Sequence, residues 1–213
     1  SHIRPRRKER DCRMIVVVEG ISAAGKTSWC RRHAAGHVVE EASPGPHVPD
    51  RETEPERAAA FWVEQNARRW QRTLDLEART GLAVCDTDPL KLHFSYGLLR
   101  IGALDEAHWQ LERELTRAAV RPGRLRFADL YWVMRIRPGQ ARLQRESDPE
   151  RSRRRFGLHV RLGPSLEQWY RALEAVLPGR VRWTLPEDGV PAAAPRERAD
   201  DEALFEAMLA RVV

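Results

Sequence analysis

Apolar residues along this chain fall into short unbroken runs that alternate with longer stretches of helical spacing. The run Met14 to Val18, followed by Glu19, is rich in β-branched residues with no polar alternation, the pattern of a strand buried on both faces. Leu82 to Cys85, ahead of Asp86, has the same character. Shorter strands are predicted over 37–41, 128–136 and 180–185. Between them the pattern turns helical. Lys26 to Ala35 is closed by Gly36, and 56–80, one long helix or a kinked pair, carries Phe61, Trp62, Trp70, Leu74 and Leu76 and ends at Gly81. Further helices are predicted over 90–101, 105–119, 165–177 and 200–213, and a basic, helical stretch over 137–155. Strands alternating with helices predict a three-layer α/β fold: a five-stranded parallel sheet with helices on both faces. Right-handed crossovers then place the strand C-termini, and any ligand, along one edge of that sheet.

Composition narrows this picture. The 213 residues suit a single domain over 1–213, with an Arg-rich helical lid at about 138–157. At 42% hydrophobic residues the chain can bury a core and lies outside the range of disordered sequences. No apolar run approaches the ~20 residues that cross a bilayer. The basic N-terminal stretch has no apolar centre behind it. The expected location is cytoplasmic, with no membrane partner. Cys12, Cys30 and Cys85 are too scattered for a disulfide framework or a zinc site. The net charge of +6 suits an anionic ligand. Arginine is abundant along the whole chain, however, so charge is weak ground for nucleic acid, which is not the expected partner. Lysine occurs only at Lys8, Lys26 and Lys91.

One of those lysines lies in a glycine loop. The segment Gly20-Ile21-Ser22-Ala23-Ala24-Gly25-Lys26-Thr27 matches G-x-x-x-x-G-K-[ST] at every fixed position, between an apolar strand and a helix. Gly20 and Gly25 let the backbone approach phosphate. The amides of the loop, through Ser22, Ala23 and Ala24 to Ser28, form an anion nest where the helix dipole is positive. Lys26 reaches the β- and γ-phosphates, and the Thr27 hydroxyl ligates the Mg2+ that bridges them. The expected cofactors are ATP or GTP with magnesium. ATP is the default, since no Asn/Thr-Lys-x-Asp guanine signature is present.

Phosphoryl transfer to an alcohol needs positioning, charge neutralisation and a carboxylate that accepts the hydroxyl proton. Two acidic clusters stand where strands should end: Glu40-Glu41 and Asp86-Thr87-Asp88. Glu41 or Asp86 is the expected base, with Asp86 also a candidate magnesium ligand. Asp88 either faces the substrate or caps the next helix. Arg142 and Arg145, one helical turn apart in the basic stretch, can face one ligand together. On the helix over 56–80, Trp62, Gln65 and Arg69 share a face that suits a base or another planar group. The same spacing also fits tryptophans packing into a core.

With these residues in hand, the chain resembles the P-loop nucleoside and nucleotide kinases, especially the deoxynucleoside kinase and thymidylate kinase group. The resemblance implies that the acidic residue after strand two, Glu40 or Glu41, is the base, and that Arg142 and Arg145 belong to an arginine-bearing lid. Phe156, His159, Leu162 and Trp169 look similar to the helix after that lid. Glu187 and Asp188 sit where the family has a short acidic loop near the adenine. The deoxynucleoside kinases carry an acidic-arginine-serine triplet after strand three, whereas Asp86-Thr87-Asp88 lacks the arginine and looks more like nicotinamide riboside kinase-type members. The loop is also similar to that of antibiotic-phosphorylating P-loop enzymes. Together these readings predict a small-molecule kinase acting on a nucleoside or nucleoside-like hydroxyl compound, possible as a homodimer. An antibiotic-inactivating phosphotransferase and a regulatory P-loop NTPase are the alternatives.

Overall fold

The structure, a computed structural model, describes residues 13–20, 25–43, 45–135, 150–191 and 201–212. Five strands form one parallel sheet: β1 (Met14–Gly20), β2 (Val38–Val39), β3 (Leu82–Asp86), β4 (Leu130–Met134) and β5 (Val181–Arg182), in the order β2-β3-β1-β4-β5. The central strand β1 lies between β3 and β4, in registers that set Val18 beside Asp86 and Gly20 beside Met134. The loop after β1 and the turn after β3 therefore leave the same edge of the sheet side by side. Every residue of β1 is buried. Each fully buried valine there contributes roughly 1.5–3 kcal/mol, which is why the run is apolar without alternation.

Among the described residues six helices cover the sheet unevenly. Met14, Val16 and Val18 face a small core with Cys30 of α1 (Lys26–His33) and Ala34, which caps that helix. Ile15 and Val17 face a much larger one. It is built from α2 (Pro55–Thr80), α3 (Leu92–Arg100), α4 (Glu106–Val120), α5 (Glu150–Val176) and α6 (Asp201–Val212). Helix α2 is a single 26-residue helix, not a kinked pair. Pro55 opens it, where a missing N–H costs nothing, and Gly81 closes it at φ 81, its N–H bonding the Glu77 carbonyl at 2.8 Å. Asp105 caps α4 by accepting from the His108 N–H at 2.7 Å.

Three elements differ from the sequence expectation. Strands β2 and β5 shrink to two residues each, because each is an edge strand with a single neighbour. Helix α5 does not start at Ser165 but runs from Glu150 through Pro164. The proline removes one backbone bond, and the anchoring of Trp169, Tyr170 and Leu173 in the core offsets that loss. Most of the expected lid, with Arg142 and Arg145, lies outside the described residues. No described helix is long and apolar enough to cross a membrane.

Candidate active site at the edge of the sheet

Gly20 ends β1, and Gly25 stands at the start of α1 with φ 83, a left-handed conformation that costs glycine nothing. Ser22, Ala23 and Ala24 lie outside the described residues. On the first turn of α1, Thr27 and Ser28 are exposed and Lys26 is half-buried. The Thr27 hydroxyl donates to Asp86 Oδ2 at 2.7 Å. A hydroxyl and a carboxylate oxygen, here at the N-terminus of α1, are hard oxygen donors of the kind magnesium takes. Among the described residues no group of three or more His, Cys, Asp or Glu is arranged to hold a metal alone.

Lys26 Nζ donates to the Gly20 carbonyl and stands 3.7 Å from Glu19 Oε1. Glu19 was not among the expected site residues, yet it is the hub beneath the loop. Its carboxylate is 2% exposed; it accepts from Gly20 N at 2.8 Å and Asp88 N at 2.9 Å, with His93 Nε2 at 3.3 Å. Burial works against its charge, but His93, Lys26 and the two backbone N–H groups hold its carboxyl below the usual range. Burial drives His93 down to about 4 despite Glu19, so at neutral pH the imidazole is uncharged. Its Nε2–H then donates to Glu19, while its Nδ1 is buried without a hydrogen bond. The only sequence signal for Glu19 is its place directly before the first loop glycine, at the end of an otherwise apolar strand.

His93 gives this site a pH-dependent stability. Its folded value of about 4 lies below the ordinary 6.5, so as pH falls through that window the unfolded chain takes up the proton first and stability is lost. Asp88 opposes it: burial pushes its carboxyl up from 3.8 to about 7, which favours the folded state as pH falls through that range. The two slopes offset each other in the native protein. His93→Gln keeps a donor for Glu19 and removes one slope. Between pH 7 and pH 4.5 its stability relative to the native chain should therefore rise by about 1–3 kcal/mol. Urea unfolding at the two pH values reads this directly, and a pH-independent difference rules it out.

The turn from β3 into α3 is tightly held. Thr87 N bonds the Val18 carbonyl at 2.9 Å. Asp88 Oδ1 accepts from Leu90 N at 3.0 Å and Oδ2 from the Tyr170 hydroxyl at 3.0 Å. Asp88 is thus a buried anchor of the turn, 2% exposed, and its caps and partners are all protein groups. Beyond it, Lys91 pairs with Glu41, and its ammonium lies 5.7 Å from the Phe94 ring. Arg51 lies 6.0 Å from the same ring and 3.6 Å from the buried Glu112, which Ser95 and His108 also hold. Glu40 and Glu41 are both exposed.

The α2 residues separate. Trp62 and Gln65 are half-buried, and Trp62 packs edge-on against Phe61. Arg69, expected to face the substrate, is engaged by the main chain in this structure. It is 1% exposed, and its guanidinium donates to the carbonyls of Glu40 at 2.9 Å, Val39 at 3.2 Å and Asp86. It ties the ends of β2 and β3 together. On the far side of the loop, Trp29 Nε1 donates to the Pro186 carbonyl at 2.9 Å, so the turn bearing the exposed Glu187 and Asp188 lies against α1. Burial pushes Cys30 up to about 12 and Cys85 up to about 11, so neither is a thiolate at neutral pH.

No family model and no curated protein matches the chain in sequence. In structure it is similar to a deoxyadenosine kinase from M. mycoides solved with bound dATP, at 13% identity and a TM-score of 0.55, over 93% of this chain and 98% of that one. A NadR protein in complex with NR aligns at 17% identity and a TM-score of 0.49, over 94% of this chain and 51% of that chain. A thymidylate kinase from Ehrlichia chaffeensis aligns at 11% identity and a TM-score of 0.44, over 94% and 98% of the two chains. The chain has the fold of the P-loop nucleoside and nucleotide kinases. With its complete loop signature it resembles a divergent member of that group.

Proposed function

We propose that the protein is a small-molecule kinase that moves the γ-phosphoryl group of ATP or GTP to a hydroxyl of a nucleoside or nucleoside-like compound. The observation that carries this reading is the juxtaposition, across one sheet edge, of the Thr27–Asp86 pair beside the glycine loop and the exposed Glu41 carboxylate beyond β3. The first suits a nucleotide and its metal, the second an acceptor. Thr27 and Asp86 would hold magnesium, which supplies charge neutralisation across the β- and γ-phosphates. Because Asp86 already accepts the Thr27 hydroxyl, Glu41 is the better base. Glu41 takes the acceptor's hydroxyl proton as that oxygen bonds to the γ-phosphorus. The bond from phosphorus to the bridging oxygen breaks, and the nucleoside diphosphate leaves with its electron pair. Lys26 leaves its place at the Gly20 carbonyl to meet the β- and γ-phosphates. Arg142 and Arg145 would close over the phosphoryl group from the lid, and Trp62 and Gln65 would face the acceptor. The donor and its acceptor both belong to the cytoplasm.

Turnover tests the reading. Purified protein with ATP or GTP, magnesium and a panel of nucleosides and nucleoside-like compounds should release diphosphate faster with at least one acceptor than with water alone. Uniform release across the panel, no higher than background, would leave a nucleotide hydrolase in place of a kinase.

A further inference from the structure

The turn between β3 and α3 contains a conformational oddity. Among the described residues only Thr87, at φ 79, and Lys91, at φ 48, are non-glycine residues in the left-handed region. Both lie within six residues of each other, in the same turn. A β-branched threonine is strongly disfavoured there, and a lysine less so; glycine or asparagine would relieve either. Such strain persists only where surrounding contacts enforce it, and it gathers at functional sites. Here the enforcement is visible. The backbone N–H of Thr87 is held by Val18, that of Asp88 by Glu19, and that of Leu90 by the Asp88 carboxylate, which Tyr170 clamps in turn.

The strain delivers one side chain. At the start of α3 the Lys91 carbonyl accepts from Phe94 N at 3.1 Å, while the Lys91 side chain makes no cap bond and is free to reach elsewhere. Its ammonium instead crosses from the β3 exit to the β2 exit, where it meets Glu41 above the Phe94 ring. The ammonium is largely covered, at 26% exposure, while its partner is 53% exposed. An exposed glutamate on a loop two residues past a two-residue strand has little else to fix its direction. The charged groups that act on Lys91 are Glu19 of β1 and Lys26 of α1, with Arg51 on the far side of Phe94. Lys91 is one of only three lysines in an arginine-rich chain. A compact, rotatable ammonium can follow a single carboxylate through a reaction, whereas a guanidinium fork imposes a planar pairing.

We propose that Lys91 is the positioning residue for Glu41: its ammonium aims that carboxylate at the acceptor hydroxyl, and the strained β3–α3 turn exists to hold it there. The inference rests on the reading of Glu41 as the base. When Glu41 takes the acceptor's proton, the pair loses its negative member, and the ammonium is left facing the growing charge on the transferred phosphoryl oxygens.

Three variants separate this role from a surface ion pair. Lys91→Gly relieves the left-handed strain, so it should raise the thermal midpoint while lowering kcat by about 10²-fold, the usual weight of a positioned base. Lys91→Met should lower kcat to a similar degree with little change in KM for the nucleotide, and shift the acidic limb of the kcat profile to higher pH. Lys91→Arg keeps the charge but not the freely rotating ammonium, so it should recover only part of the rate. A Lys91→Gly protein that loses stability, or keeps its full rate, overturns the proposal. An independent arm needs no acceptor: in 13C-glutamate-labelled protein, the Glu41 carboxyl resonance, assigned with Glu41→Gln, should titrate at higher pH in Lys91→Met than in the native chain. An unchanged midpoint overturns the pairing. If no acceptor is turned over but the midpoint moves, it is the kinase reading that fails, not the pairing.

Discussion

Replacing Lys26 by alanine is expected to lower kcat/KM for the triphosphate by about 10³-fold or more, roughly 4 kcal/mol of transition-state stabilisation. The amine is the only described side-chain cation on the loop, and its side chain is largely covered, so no neighbouring loop residue can supply the lost charge. The same substitution has a second effect. In the structure Lys26 bonds the Gly20 carbonyl and neutralises the buried Glu19. Its removal leaves a carboxylate at 2% exposure with a neutral imidazole and two backbone N–H groups. The free protein should therefore be less stable as well as inactive. Lys26→Arg should restore stability much better than rate, because a guanidinium keeps the charge but not the reach of a point ammonium. Steady-state kinetics beside thermal unfolding of both variants measures this. A Lys26→Ala enzyme within tenfold of the native one would remove the loop from catalysis.

The second large effect is structural. Arg69→Ala should destabilise the fold by about 3–5 kcal/mol, the cost of breaking a buried charged hydrogen-bonding group. Arg69 is 1% exposed and serves three carbonyls from two strands, those of Val39, Glu40 and Asp86. Alanine removes the guanidinium from three carbonyls and opens a cavity between the ends of β2 and β3. Lysine recovers little, since one ammonium on a single stem cannot span donors set by a planar fork. Denaturant unfolding gives the number. A fully stable Arg69→Ala protein with a raised KM would return Arg69 to the role of substrate ligand that the sequence suggested.

That contrast shows what the sequence could carry. The central strands were legible because burial on both faces leaves no room for polar alternation, as in Met14 to Val18 and Leu82 to Cys85. The glycine loop is a local signature, since the residues expected to meet phosphate are neighbours in the chain, though residues 21–24 lie outside the described residues. The pair Thr27 and Asp86 was legible in part, since each stands at the end of its own element and only the sheet order brings them to 2.7 Å. Glu19 was missed because its partners come from the β3–α3 turn, from α3 and from α1, none predictable from a carboxylate closing an apolar run. Lys91 and Glu41 are fifty positions apart, and their meeting depends on two left-handed residues that no periodicity announces. Arg69 was expected to face a substrate, and in the structure its guanidinium bonds main-chain carbonyls. Spacing shows which side chains point together, not whether they meet a ligand or the main chain. Helix α5 ran past Pro164 for a related reason: the apolar anchors C-terminal to the proline outweigh a local breaking signal.

The two short edge strands carry a last consequence. Strands β2 and β5 bound the sheet with two residues each, so a strand from a second molecule would find almost no ladder of free N–H and C=O groups to extend. The sheet is closed to growth at both margins without bulges or edge prolines. Among the described residues, that leaves the helical surfaces rather than the sheet margins as the ground on which two copies could meet.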